Sequence, residues 1–366
     1  MGKSRKIHWW QPEMGLAEVQ LVRDVIESNY LNDGDITTRF EQVIAARLDV
    51  PYAVAVTSGT TALYLSLMAL GIGHGDEVIV PDITFIATAN AVTMTGAKAV
   101  LVDVVPESLT MAPNAFEAAI SEKTRAVIPV HISGRGGSLL DVLAVAQKYS
   151  LPVVEDAAEA LLSRFHGRYL GTYGTTGCFS FSPNKTITTG QGGIIVVHDR
   201  NIHDRLRELK DQGRPVRGTG GDDTHASIGF NFKLTNLQAA VGLGQLNYLE
   251  KRLKRQRRIY DTYRRELRGV NGIHIFPFDT AGGETPQWTD ALAERRNELD
   301  TYLNGQGAFC RRYWFPLHTQ QPYMEPDDRF PNSTRLAPKA IWLPSAFQLS
   351  DDDIRQVCDL IRKFYT

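Results

Sequence analysis

Short runs of β-branched and other apolar residues recur along the first two hundred positions, separated by turn residues and helical stretches. They read AVAV (53–56), EVIVP (77–81), AVLVDV (99–104), AVIPVHI (126–132), LPVVED (151–156), GCFSFS (177–182) and GIIVV (193–197). Several are apolar at successive rather than alternate positions, the pattern of strands covered on both faces in a parallel sheet. Stretches such as TTALYLSLMALG and LLDVLAVAQKYS show helical spacing between them, and a first helix is predicted at about 16–28. Seven strands alternating with helices predict an α/β domain of three layers, αβα, around a mostly parallel seven-stranded sheet. From about Asn236 the helical patterns lengthen; a mixed region with GGETP and a Pro-rich, aromatic stretch then leads to a last helix from Asp351. The expected division is a large domain with the N-terminal segment, 1–247, and a smaller C-terminal α+β domain, 248–366.

Composition narrows the partners. At 366 residues and 43% apolar, the chain can bury a sizeable core. A formal net charge of −1 argues against nucleic acid or an anionic membrane surface as a partner. No apolar run approaches the ~18 residues of a transmembrane helix. The opening MGKSRKIHWW has no apolar segment behind its charges, so it is not read as a secretory signal. Its Gly2-Lys3-Ser4 lacks the preceding glycine and strand of a phosphate-binding loop. Three cysteines, Cys178, Cys310 and Cys358, are too few and too scattered for a disulfide framework and fit a reducing cytoplasm. No metal-ligand spacing occurs among the nine histidines, so no metal is expected. The basic run EKRLKRQRRIYDTYRREL (250–267) is accounted for by a solvated helix face.

Ligands of open parallel sheets bind beyond the C-terminal ends of the strands, and four groups fall at such places. TSGTTAL (57–63) follows the first strand and opens a helix. Small hydroxyls with a glycine there expose N–H groups at the positive end of the helix dipole, which suits a phosphate, although Ser and Thr are also ordinary N-caps. Asp156 closes LPVVED; it can cap the next helix or keep a cationic ring nitrogen protonated. Glu159, one turn on, can face the same place. Lys185 lies in the loop between the last two strands, with Ser180 and Ser182 before it on one strand face and three glycines soon after. A turn lysine is ordinarily solvated, but in a partly desolvated pocket its amine attacks carbonyls. A phosphate seat, a ring-nitrogen carboxylate and a carbonyl-attacking lysine together describe a pyridoxal 5′-phosphate site.

The chain resembles the DegT/DnrJ/EryC1/StrS sugar aminotransferases over nearly its whole length. The resemblance is carried by TSGTTALYLSL, GDEVIVPDITFIATANAV, VVEDAAEA, GCFSFSPNKTITTGQGG, GFNFKLTNLQAAVGLGQL and FPLHTQQPY. It implies the aspartate aminotransferase fold (fold type I) and pyridoxal 5′-phosphate as cofactor. By that resemblance Lys185 is the Schiff-base lysine and Asp156 pairs with the pyridine nitrogen. Glu159 contacts the phenolic oxygen, Phe85 stacks on the ring, and Gly59, Thr60 and Ser180 hold the phosphate. Asn231 reaches the phosphate of a neighbouring subunit, which implies a homodimer with a shared site. His318 and Tyr323, with Trp314 just before them, fall in a segment placed near the sugar. VHISGRGG (130–137) departs from the VHLYG of many relatives; it exchanges an aromatic for Ser133 and adds Arg135, which is expected to reach a diphosphate. LNDGDIT (31–37) departs as well. The implied reaction moves an amino group from glutamate to a keto group of a nucleotide-linked deoxy sugar, a GDP-4-keto-6-deoxyhexose by the closest likeness. A keto-cyclitol is the alternative substrate. Related dehydratases carry histidine in place of the lysine, so Lys185 argues against that chemistry. A ligand-binding regulator without activity is disfavoured by the intact lysine, carboxylate and phosphate seat.

Overall fold

The computed structural model describes residues 6–215 and 224–366; Gly2-Lys3-Ser4 lies outside them. The seven apolar runs become β1 (Tyr52–Val56), β2 (Glu77–Pro81), β3 (Lys98–Val102), β4 (Thr124–Val127), β5 (Val154–Asp156), β8 (Thr176–Ser180) and β9 (Gly193–Val197); a small hairpin of β6 (Arg164–Phe165) and β7 (Arg168–Tyr169) stands outside this sheet. Two ladders, β3-β2-β4 and β5-β8-β9-β1, are joined by bridges between Val127 and Val153 and between Val130 and Asp156. The result is one seven-stranded sheet in which only β9 runs against its neighbours. The AVIPVHI run is shorter as a strand than its sequence suggests. β4 stops at Val127 because Pro129 has no N–H for the ladder, and the chain passes into a tight turn at Ile132–Gly134.

Both faces of the sheet are covered, which is why its strands are apolar throughout. In β1, Val54 and Val56 join one core with Leu63, Leu67 and Val80, while Ala53 and Ala55 join another with Phe40, Ile44 and Phe179. Helices α1 (Leu16–Glu27), α2 (Asp35–Arg47), α3 (Gly59–Ala69) and α4 (Ala87–Met94) are the first of the covering layers. α3 is buried at every position from Thr61 to Leu67, as a helix enclosed on all sides must be. No helix among the described residues is long and apolar enough to cross a membrane.

A second sheet, antiparallel throughout, has the order β10 (Ile273–Ile275), β11 (Asp290–Ala293), β13 (Ala340–Trp342), β12 (Arg311–Arg312). Helices Leu249–Glu266, Arg296–Gly305 and Asp351–Tyr365 share its core. The basic helix 249–266 turns Leu253, Ile259, Tyr260 and Tyr263 inward and most of its charge outward. Arg252 is the exception, buried and donating to the carbonyls of Thr186 (3.1 Å) and Glu13 (2.8 Å). Residues 7–10 pack against this second unit, and Trp10 also reaches back to the Pro183 carbonyl (3.2 Å). Ile7 exchanges backbone hydrogen bonds with Gly307 and Phe309, both 2.9 Å, and Trp9 packs on Trp288 and Trp342. Burial of two indoles on an aromatic cluster draws the segment there.

Candidate active site

Six strands of the large sheet are parallel, and five of them deliver residues to a single cavity of about 310 Å³ beyond their C-terminal ends. β1 leads to Ser58, Gly59 and Thr60; β2 to Thr84 and Phe85; β4 to Val130; β5 ends in Asp156 and β8 in Ser180. The reversal of β9 places the lysine. Because β9 is antiparallel to β8, the chain turns straight back, and loop 181–192 stays at this edge; a parallel continuation would need a crossover to the opposite edge. Lys185 is carried on that loop. Trp288, Arg311 and Trp314, contributed by the second unit, also line the cavity.

The Lys185 Nζ stands 3.4 Å from Glu159 Oε1 and 5.0 Å from the centre of the Trp288 ring. The other Glu159 oxygen accepts the Ser133 N–H (2.8 Å). Asp156 Oδ2 accepts from the Thr88 hydroxyl (2.8 Å) and Oδ1 from the Ala158 N–H (3.2 Å). Burial raises both carboxyls above their ordinary pKa, against the attraction of Lys185. A desolvated carboxylate of this kind gains most from a cation brought into the cavity.

The phosphate seat is made by the start of α3. Ser58 Oγ caps the helix by accepting the Thr61 N–H (3.1 Å), while the first N–H groups, of Gly59 and Thr60, have no acceptor within the helix. A Cβ on Gly59 would come within 2.9 Å of the Ser180 Cβ, so only glycine lets the helix start lie this close to β8. Ser180 Oγ lies 3.1 Å from Ser182 Oγ. Phe85 presents a half-exposed ring, 6.2 Å from Trp314. Anion cradle, buried carboxylate, flat aromatic and amine in one cavity fit pyridoxal 5′-phosphate.

Of the residues assigned to the cofactor from sequence, Gly59, Thr60, Phe85, Asp156, Glu159, Ser180 and Lys185 all line this cavity. Asn231 does not; it is exposed, bridged to Asp211. Trp314 lines the cavity, but the other three expected substrate contacts do not. Arg135 is a correction. Its guanidinium is buried and donates to both carboxylate oxygens of Asp290 (2.8 and 2.7 Å) and to the Ser108 carbonyl (3.2 Å), near the rings of Phe276 and Phe278. All three nitrogens of the fork are engaged inside the protein and the group does not line the cavity, so the expected diphosphate contact falls away. Removing one partner of such a buried pair strands the other charge. Arg135→Ala is expected to lose about 3–5 kcal/mol of stability, read as a lowered urea midpoint; an unchanged midpoint would contradict this structural role.

His318 is likewise corrected. It is fully buried, with its Nδ1 2.7 Å from Asp82 Oδ2, its N–H donated to Asp82 Oδ1 (2.8 Å), and its ring stacked on Phe330. It ties segment 317–319 to the end of β2 rather than facing a ligand. Tyr323 donates to Asn90 Oδ1 (2.8 Å) on α4 and stays off the cavity wall. Among the contributors that escaped the sequence reading are Thr88, which fixes Asp156, and Thr84, Trp288 and Arg311 on the cavity wall.

The model of the DegT/DnrJ/EryC1/StrS aminotransferase family matches residues 12–362. The GDP-perosamine synthases of Escherichia coli O157:H7 and Vibrio cholerae are 35% and 33% identical to this chain, over 98% and 97% of its length and 98% of each of theirs. Among solved structures, Spr1654 from Streptococcus pneumoniae in its PLP-form aligns with a TM-score of 0.93 at 25% identity, covering 98% of each chain. With this match along almost its entire length, the chain belongs to the DegT/DnrJ/EryC1/StrS aminotransferase family and is a pyridoxal 5′-phosphate-dependent sugar aminotransferase.

Proposed function

We propose that the protein transfers the amino group of glutamate to the C4 keto carbon of GDP-4-keto-6-deoxymannose, as a homodimer whose sites each take Asn231 from the other chain. The observation that carries the reaction class is the single cavity shared by Lys185, Asp156, Glu159 and the start of α3. The choice of sugar is supported by likeness to two GDP-perosamine synthases.

When bound, pyridoxal 5′-phosphate supplies an aldehyde that condenses with amines and a ring that takes up electrons. The chain's own residues set the conditions. Gly59, Thr60 and Ser180 hold the phosphate, and Phe85 covers a ring face. Asp156, desolvated and fixed by Thr88, holds the proton on the ring nitrogen. Glu159, buried beside Lys185 and fixed by the Ser133 N–H, would contact the phenolic oxygen. The Lys185 amine takes the proton from the donor's α-carbon and, in the second half-reaction, delivers one to the sugar carbon being aminated.

The test is a panel of GDP-, dTDP- and UDP-linked keto sugars plus a keto-inositol, each with glutamate. GDP-4-keto-6-deoxymannose is expected to be consumed with equimolar release of 2-oxoglutarate; activity on the cyclitol alone would overturn the sugar assignment. The shared site has its own check. Mixing an Asn231→Ala chain with a Lys185→Ala chain is expected to regenerate activity neither has alone, because some heterodimer sites receive both native residues. No recovery after verified subunit exchange would mean that each chain builds its site alone.

A further inference from the structure

We infer that Arg311 receives the α-carboxylate of the amino donor, held for that task by Trp9 of the N-terminal segment. The inference rests on the aminotransfer reading above and names a specificity residue within it.

Arg311 lines the cavity from β12, yet among the described residues its guanidinium makes no hydrogen bond or ion pair. This is unusual in a protein whose other inward-facing arginines are committed: Arg135 to Asp290, and Arg252 to the Thr186 and Glu13 carbonyls. Instead the guanidinium lies over two indoles, 4.8 Å from the Trp9 ring centre and 5.7 Å from that of Trp342. Such packing fixes the plane of the fork while leaving its N–H groups for an oxyanion. Partial burial penalises its charge, with Glu159 the opposite charge that offsets this. A desolvated cation without a hydrogen-bond partner has the most to gain from a carboxylate.

Its position favours the donor over the nucleotide. Trp342, paired with Arg311 across β12 and β13, donates its indole N–H to Ser133 Oγ (3.0 Å). Ser133 in turn donates its N–H to Glu159, and Glu159 meets Lys185. Arg311 therefore stands on the lysine's side of the site. A space of about 310 Å³ is at the small end of ligand sites. Cofactor ring, phosphate and reacting carbons would fill it, so a nucleoside diphosphate, joined across the pyranose from C4, would extend beyond it. The oxyanion directly attached to a reacting carbon is the amino acid's α-carboxylate. Trp9 acts through Arg311 as a positioning residue, and it is anchored: its carbonyl accepts the Ser345 N–H (2.9 Å), and the next residue, Trp10, donates to the Pro183 carbonyl (3.2 Å) beside the Lys185 loop.

The experiment uses the holoenzyme and the amino-acid half-reaction alone, followed by the cofactor's absorbance, so it does not depend on which sugar is used. Arg311→Gln is expected to raise the half-saturating glutamate concentration about 10- to 100-fold, the scale of charge-assisted hydrogen bonds, with a smaller change in limiting rate. The preference for glutamate over 4-aminobutyrate, which lacks the α-carboxylate, is expected to collapse. Calorimetric affinity for 2-oxoglutarate, which involves no turnover, is expected to fall with it. Trp9→Leu is expected to raise the same constant, and Trp9→Phe, which keeps a ring under the guanidinium, to restore much of the affinity. Unchanged glutamate saturation in Arg311→Gln overturns the inference, as does a raised keto-sugar KM with glutamate unaffected, which would assign Arg311 to the diphosphate. If the wild type itself gives no spectral change with any amino donor, the aminotransfer reading falls and this inference with it.

Discussion

Lys185→Ala protein is expected to lose at least ~10³-fold in turnover while remaining folded. The loss has the scale of removing a positioned proton-transfer group. The fold should survive because the residue sits on a loop and, among the described residues, its amine touches only Glu159 at 3.4 Å and the Trp288 face. Glu159 keeps the Ser133 N–H, so no buried carboxylate is left without a partner. The measurement is glutamate-dependent turnover beside a urea denaturation curve. Turnover within tenfold of wild type would remove Lys185 from the chemistry; a collapsed denaturation midpoint would mean that the loss was structural.

The second large effect is at Asp156, where alanine is expected to cost at least ~10²-fold in turnover, the range of a missing preorganised charge. Its carboxylate is held by the Thr88 hydroxyl and the Ala158 N–H, and burial makes it the group best suited to stabilise a buried cation. Thr88 retains the Thr84 hydroxyl at 2.8 Å when Asp156 is truncated, which limits structural damage. Near-normal turnover in Asp156→Ala would end this assignment. Asp156→Asn is the sharper control, because it keeps volume and hydrogen bonding while removing charge.

Much of the fold was legible because the strands carry their own boundaries. EVIVP and GIIVV formed strands over the predicted residues, each apolar run being closed by a polar or turn-forming neighbour. AVIPVHI was over-read because one missing N–H, at Pro129, outweighs the apolar pattern around it. The TSGTTAL segment, Asp156, Glu159 and Lys185 were also legible, since each lies near a strand end and topology collects such ends at one edge, whereas Phe85 was carried by the family resemblance. What failed needed partners remote in the chain. Arg135 reads as a diphosphate contact until Asp290, far along the sequence, supplies a buried carboxylate. His318 reads as a ligand group until Asp82 takes its ring nitrogen. Arg311 left a weaker signal that alternation could have caught. On a strand reading CRRYW, Arg311 and Tyr313 share a face, and Tyr313 is buried against Trp342, while Arg312 points to Asp300 (2.7 Å).

The docking of Ile7 beside Ala308 also orders events during synthesis of the chain. These residues are about 300 positions apart and form one bridge, so during synthesis Ile7 waits for a partner made long after it. At ~5–20 residues per second that delay is about 15–60 s. During it Trp9 and Trp10 have no aromatic cluster to join, and the large sheet can assemble without them. The growing chain therefore leaves both tryptophans without Trp288 and Trp342, the rings they pack on, until the second unit has been made.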